Sequence, residues 1–215
     1  MAKLIVTVDG PSGTGKSTVS REVARRARLP HLDTGAYYRA ATLAALRSGA
    51  DLSEASEVAE SVASSTIDEV DGRILLDGED VSTEIRGDRV TEHVSEVSAH
   101  PSVRRLLVAM QRDWVDAQGG SAVVEGRDIG SVVFPDAGLK IYLDADPEVR
   151  ARRRALQMGH DPNAVKGDLA RRDRLDSSRK ASPLTIPSGA VVVDTSELDF
   201  EEVVGQVMEL LEAHS

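Results

Sequence analysis

An apolar run that ends in a glycine-rich loop constrains this chain more than any other feature. Leu4-Ile-Val-Thr-Val8 is β-branched and almost wholly apolar, as a strand buried on both faces is. Gly10-Pro-Ser-Gly-Thr-Gly-Lys-Ser-Thr18 comes next, and helical spacing at Val19, Val23 and Ala27 follows it. Strand, loop and helix around G-x-x-x-x-G-K-[ST] make the phosphate-loop pattern. Glycines let the backbone turn tightly and aim successive N–H groups at one anion. The helix that starts near Gly15 points its positive end at the same place. Lys16 adds a point charge near the β- and γ-phosphates of a nucleoside triphosphate, and the Ser17 hydroxyl is placed to ligate Mg²⁺.

Four more short apolar runs recur along the chain: His31-Leu-Asp33, Ala122-Val-Val124, Leu139-Lys-Ile-Tyr-Leu143 and Ala190-Val-Val-Val193. Between them lie helical stripes, one at Val103, Leu106, Leu107, Met110 and Trp114, another at Phe200, Val203, Val204, Val207 and Leu211. Strands alternating with helices predict an α/β fold, with a five-stranded parallel sheet flanked by helices.

Two segments break the rhythm. Residues 51–100 hold 14 acidic and 3 basic side chains. Within them, Asp71-Gly72 and Asp77-Gly78 are hairpin-turn signals, because such turns need φ > 0 at their centre. They predict a small antiparallel meander over Thr66–Val70, Arg73–Leu76 and Glu79–Val81, inserted into the α/β core. Residues 146–180 hold 10 basic and 6 acidic side chains. Helical patterns on both sides of Gly159-His-Asp-Pro162 predict a helix–loop–helix with a polar hinge. The expected organisation is one α/β domain over 1–215. Its core is 1–50, 101–145 and 181–215, with an insert at about 51–100 and a helical lid at about 146–180.

Charge and composition exclude several function classes. The 36 acidic and 26 basic residues leave a net charge of −10, which argues against binding a polyanion by bulk charge. A small anionic ligand in a local basic pocket stays open. With 0 Cys there are no disulfides, thiolate metal sites or cysteine nucleophiles. The five histidines are scattered without metal spacing, and most read as surface residues. No apolar run approaches the roughly 20 residues of a membrane span, and the start lacks the apolar stretch of a signal peptide. A soluble cytoplasmic protein is expected, with no nucleic-acid or membrane partner. It is expected to be a monomer, since no large apolar stripe asks for a partner.

The sequence also separates switch from kinase. Guanine-nucleotide switches read their base with Asn-Lys-x-Asp, which is absent, and the one Asp-x-x-Gly, Asp116–Gly119, closes a helical pattern. A phosphate loop with a second, arginine-rich set suggests a small-molecule kinase. Arg127-Asp128 directly follows the Ala122–Val124 run, and open α/β sheets place their ligands at the carboxyl ends of strands. Arg150, Arg153 and Arg154 share one helical face, as a phosphate-facing set would. Asp146 and Glu148 ahead of them equally fit a solvated helix obeying its macrodipole. Arg39, at the start of a helix after two tyrosines, reads equally as a solvated side chain or a phosphate ligand.

Several segments together resemble the bacterial cytidylate kinases, within the nucleoside monophosphate kinase group. They are Asp9–Ser17, Leu32-Asp-Thr-Gly-Ala-Tyr-Tyr-Arg39, Leu76-Asp-Gly-Glu-Asp-Val81, Glu84-Ile-Arg86, Val124-Glu-Gly-Arg-Asp-Ile-Gly130, Val133-Phe-Pro-Asp136, Lys140-Ile-Tyr-Leu-Asp144 and Arg172-Asp-Arg-Leu-Asp176 with Arg179. The resemblance covers essentially the whole chain in order. It implies transfer of the γ-phosphoryl group of ATP to CMP or dCMP, with Mg²⁺.

By position, the resemblance assigns ATP binding to Gly10, Pro11, Ser12, Gly13, Thr14, Gly15, Lys16, Ser17 and Thr18. Arg150, Arg153 and Arg154 fall in the lid over ATP, and Arg39 and Arg127 on the acceptor phosphate. Thr34, Arg104, Asp128 and Arg179 fall where cytosine is recognised, and Ser95, Arg172 and Asp176 where the ribose is held. Lys16, Arg39, Arg127, Arg150 and Arg154 are the expected catalytic set, and Ser17 the metal ligand. One departure is Thr34, where relatives often carry Ser; the hydroxyl stays and a methyl is added. Two rivals remain: a small-molecule P-loop kinase acting on another acceptor, and a non-catalytic nucleotide-binding module. Against the second stand the intact Lys16-Ser17 and the arginine set. A nucleic-acid helper NTPase is disfavoured by size and acidity.

Overall fold

The computed structural model describes residues 3–70, 72–159, 161–179 and 182–214. Two compact units emerge, one of Met1–Leu32 with Trp114–Ser215 and one of Asp33–Asp113. The first opens with strand β1 (Ile5–Asp9) and helix α1 (Lys16–Ala27), then strand β2 (His31–Asp33). Gly10 must be glycine: its φ is +143°, and a Cβ there would stand 2.1 Å from the Leu143 carbonyl oxygen.

In the second unit, helix α2 (Thr34–Ser48) begins under an Asp33 cap, whose Oδ1 accepts from the Ala36 N–H at 3.1 Å. Helix α3 (Ala55–Ala63) leads into β3 (Ile67–Val70), β4 (Arg73–Leu76) and β5 (Glu79–Asp80), an antiparallel sheet in that order. The Asp77-Gly78 turn has φ of +52° and +84°, the left-handed pair a tight hairpin needs. Asp71, expected in the other turn, lies outside the described residues. A 3-10 turn at Glu84–Arg86 precedes helix α4 (Asp88–Val97) and helix α5 (Pro101–Ala117).

The chain then returns to the first unit. Strand β6 (Ala122–Glu125) is followed by a π-helical turn at Ile129–Val133 and strand β7 (Leu139–Asp144). Helices α6 (Pro147–Met158) and α7 (Pro162–Ser178) form the expected helical hairpin. Of its hinge, His160 lies outside the described residues. Strand β8 (Val191–Asp194) and helix α8 (Phe200–Ala213) complete the fold, α8 opening with a reciprocal Asp199–Glu202 capping box.

The large sheet is five-stranded and parallel, in the order β2-β6-β1-β7-β8. β1 pairs with both β6 and β7, so the phosphate-loop strand sits at its centre. Val19, Val23 and Ala24 of α1 and Val203, Val204, Val207 and Leu211 of α8 pack with Val6, Val8, Ile141 and Leu143 into one core.

The helical stripes need two corrections. Phe200 is 41% exposed, because it starts α8 ahead of the face that packs. On α5 the buried positions are Val103, Arg104, Leu107, Gln111 and Val115, while Leu106, Met110 and Trp114 are half-buried. The histidines differ too: among the described residues His31, His93 and His100 are half-buried and His214 is exposed. No helix among the described residues is long and apolar enough to cross a membrane.

Candidate active site

The loop between β1 and α1 is shaped for an anion. Gly10, Gly13 and Gly15 all take positive φ. Helix α1 starts at Gly15 with no side-chain cap and no acidic residue in its first turn, so its N–H groups and positive end face outward unopposed by a carboxylate of that turn. Lys16 folds back onto the loop, and Nζ donates to the Pro11 carbonyl at 2.6 Å. Loss of hydration there, with Arg127 as the next cause, lowers the Lys16 pKa to about 7. The negative charge of a polyanion in the loop would oppose this lowering.

Beside the loop, the carboxyl ends of β1 and β6 carry Asp9 and Glu125, both buried. Asp9 accepts from the Ile129 and Gly130 N–H groups at 2.8 Å each, tying β1 to the turn after Asp128. Burial still pushes its pKa up to about 6, outweighing those two bonds, and Asp128 adds to the rise. Glu125 Oε2 accepts from the Ser17 hydroxyl at 2.8 Å. Asp9 and Glu125 stand inside the sequence motifs with no role evident from the sequence. Their signal was a carboxylate closing an apolar strand immediately before ligand-bearing residues.

Of the expected arginines, Arg127 and Arg150 come to the loop. Arg127 donates to the Gly10 carbonyl at 3.2 Å and pairs with Asp176 at 3.0 Å. Arg150 is buried, donates to the Ser12 carbonyl at 3.2 Å and to the Ala145 carbonyl at 3.1 Å, and pairs with Asp173. Asp173 is a further residue the sequence reading missed. Helix α6 approaches so closely that a Cβ on Gly13 would meet the Arg150 carbonyl oxygen at 2.9 Å.

Arg153 turns elsewhere on the same face. It donates to the Thr195 hydroxyl at 2.9 Å and the Thr195 carbonyl at 2.7 Å, beyond the end of β8. Arg172 lies among like charges: burial, then Arg127, lowers its pKa to about 10, with Arg154 acting in the same direction. Asp176 gathers this group, pairing with Arg127 and, at 3.5 Å, with Arg179. Asp128 is buried at the start of the π-helical turn.

The second unit collects the other expected residues. Thr34 is buried at the start of α2. Arg39 donates to the Ile85 carbonyl at 3.1 Å and to the Thr91 hydroxyl at 2.8 Å. Arg104 is buried, with its guanidinium 5.1 Å from the centre of the Tyr38 ring and Nη1 donating to the Ser98 carbonyl at 3.2 Å. The Ser98 hydroxyl donates in turn to the Ser95 carbonyl at 3.1 Å. Tyr38 is the residue here that sequence reasoning did not single out.

The donor chemistry near Ser17 suits Mg²⁺, since its hydroxyl and the Glu125 carboxylate are hard oxygen ligands. Among the described residues no group of three or more His, Asp or Glu side chains could hold a metal by itself.

Comparison with known proteins agrees with this arrangement. The profile of the cytidylate kinase family matches residues 6–213. A cytidylate kinase of Nocardia farcinica is 54% identical over 213 residues, covering 95% of this chain and 91% of that protein. One from Rhodococcus jostii is 52% identical over 216 residues, covering 96% of this chain and 94% of its own length. Among solved structures, a gluconokinase from Sinorhizobium meliloti aligns with a TM-score of 0.54 at 16% identity, covering 99% of this chain and 94% of that one, a likeness of fold alone. A phosphate loop at the centre of a parallel sheet, arginines drawn to its rim, and a full-length match at about half identity lead to one conclusion: the chain belongs to the cytidylate kinase family.

Proposed function

We propose that the chain transfers the γ-phosphoryl group of ATP to CMP or dCMP, releasing ADP and CDP or dCDP. One observation carries this reading: an intact phosphate loop stands beside Arg127-Asp128, at the end of the adjacent strand, in a chain related to cytidylate kinases along its full length. Another acceptor on the same fold is not favoured, because the relatives at about half identity are cytidylate kinases, whereas the gluconokinase shares the fold at only 16% identity.

The acceptor is a phosphate oxygen, largely ionised at neutral pH, so the reaction needs alignment and charge neutralisation more than a strong general base. In this reading the loop N–H groups of Gly10–Thr18 and Lys16 hold the ATP phosphates. Arg150 and Arg154 reach the transferring group, and Arg153 belongs to the same lid. Arg39 and Arg127 bind the acceptor phosphate, so that two anions can approach. Arg127 and Arg150 are held in wait by Asp176 and Asp173, which phosphate oxygens would replace as partners. Ser17 and Glu125 would hold Mg²⁺, which would supply charge neutralisation for the ATP phosphates. The hairpin at about 146–180 serves as the lid and residues 51–100 as the nucleoside-monophosphate insert, closing to exclude water. The enzyme works as a cytoplasmic monomer in this reading, which sedimentation at working concentration checks.

Thr34, Arg104, Asp128 and Arg179 recognise the base; Ser95, Arg172 and Asp176 hold the ribose. Cytosine offers a 4-amino donor that Asp128 can accept, whereas uracil would set a carbonyl against that carboxylate. An unpaired buried polar group costs about 1–3 kcal/mol. Asp128→Ala is therefore expected to lower kcat/KM for CMP far more than for UMP. Steady-state kinetics with both acceptors make the test, and equal losses would remove Asp128 from base selection.

A further inference from the structure

Behind the phosphate loop, Ser20 and His31 have no task in the transfer reaction. Ser20 lies on α1, one turn beyond Ser17, and is fully buried. Its hydroxyl donates to the Lys16 carbonyl at 2.7 Å. With that proton committed, Ser20 Oγ is an acceptor, and His31 Nε2 stands 3.0 Å from it. The same nitrogen is 3.3 Å from Glu125 Oε1. The other oxygen, Glu125 Oε2, accepts from Ser17 at 2.8 Å. The His31 and Glu125 side chains are only 13% and 3% exposed. β2 and β6 are neighbours in the sheet, so strand order brings His31 and Glu125 together.

A hydroxyl that turns a lone pair toward a cation must send its proton elsewhere, and Glu125 receives the proton of Ser17. The terminal torsion of a glutamate is soft, so a single bond from Ser17 does not fix the carboxylate plane. His31 Nε2, lodged 3.3 Å from the second oxygen and held there by Ser20, restricts that torsion. We propose that His31 is a positioning residue for the cation that accompanies the nucleotide: it orients Glu125, and Glu125 orients the Ser17 hydroxyl. The inference rests on the proposed function, specifically on Mg²⁺ binding at Ser17 and Glu125. Residues that orient metal ligands commonly matter to affinity by 10- to 100-fold, a range of about 10–100.

Calorimetric titration of the full chain with ATP, once with Mg²⁺ and once with EDTA, tests it. His31→Ala is expected to weaken Mg-ATP binding about tenfold. ATP in EDTA should bind within about twofold of wild type, and KM for CMP should not move, because neither depends on the cation's ligands. His31→Gln, which keeps a side-chain N–H donor at similar reach, should recover most of the loss. If His31→Ala unfolds at the assay temperature, His31→Leu preserves the volume and makes the same comparison. Equal weakening with and without Mg²⁺ would reduce His31 to a packing role and overturn the inference, as would wild-type affinity in both. A wild-type protein whose ATP affinity ignores Mg²⁺ would instead remove the cation reading itself, and this inference with it.

Discussion

The phosphate loop and the α6–α7 hairpin both present basic groups to the same space, but they rest on different foundations. The loop springs from the central strand and leads into α1, and the core beneath it includes 14 buried residues among those described. The hairpin closes a small core of its own from Ala151, Ala155, Val165 and Leu169. Polar contacts add to it: Arg150 to Asp173 and Lys166 to Glu148 at 2.6 Å join its two helices, and Arg150 to Ser12, Asp176 to Arg127 and Arg153 to Thr195 tie it to its surroundings. Its outer face carries Leu156 at 80% exposure. Apolar burial scales with area and does not depend on the ligand, whereas ion pairs exchange partners readily. The loop is thus set before ATP arrives, while Arg127 and Arg150 stand in ion pairs whose partners phosphate can replace.

Substitution at Lys16 probes the fixed half of this contrast and has the largest expected effect. Lys16→Met should cut kcat by roughly 10³-fold, the scale of losing one charge-stabilising donor. Thermal unfolding should show no loss of stability, because a half-buried ammonium with a lowered pKa is a burden on the empty fold. A fall in the unfolding temperature would show that Lys16 supports the loop as well as the reaction.

Asp173→Asn probes the exchangeable half. It keeps the shape but removes the charge that holds Arg150, and kcat should fall about ten- to a hundredfold, as misplacement of a catalytic group does. Unchanged kcat would mean that the ion pair does not set the Arg150 position. A smaller effect follows from Lys16 titration. Its pKa of about 7 in the empty protein leaves the amine mostly neutral at pH 8. ATP phosphates favour the ammonium, so binding at pH 8 should take up close to one proton, about one at most, and uptake should fade as pH drops below 7. Calorimetry in two buffers of different ionisation enthalpy measures it, and heats independent of buffer would refute it. The smallest effect belongs to Leu156→Ser. At 80% exposure, it should change stability by no more than about 0.5 kcal/mol in chemical denaturation. A larger loss would mean that the outer face of the hairpin is covered.

Legibility in the sequence followed the range of the interaction. The meander was readable from Asp77-Gly78, because a two-residue turn is a local backbone requirement. Hydrophobic spacing misjudged α5, where Arg104 and Gln111 are buried, because a buried arginine announces itself only through partners such as the Ser98 carbonyl. The arginines at 150, 153 and 154 were legible as one helical face. That Arg150 goes to Ser12 and Arg153 to Thr195 was not, since those partners are 138 and 42 residues away. Asp9 and Glu125 were visible as letters inside motifs, but their tasks depend on the turn after Asp128 and on Ser17.

The sequence by itself determined the alternation of strand and helix, the phosphate loop and its lysine, and the kinship with cytidylate kinases. These are encoded in spacing along the chain and in glycine's freedom to take positive φ. Only the tertiary structure decided the strand order β2-β6-β1-β7-β8, which no local period specifies. That order brings Glu125 to Ser17 across 108 residues and His31 to Glu125, so this polar group belongs to the assembled sheet.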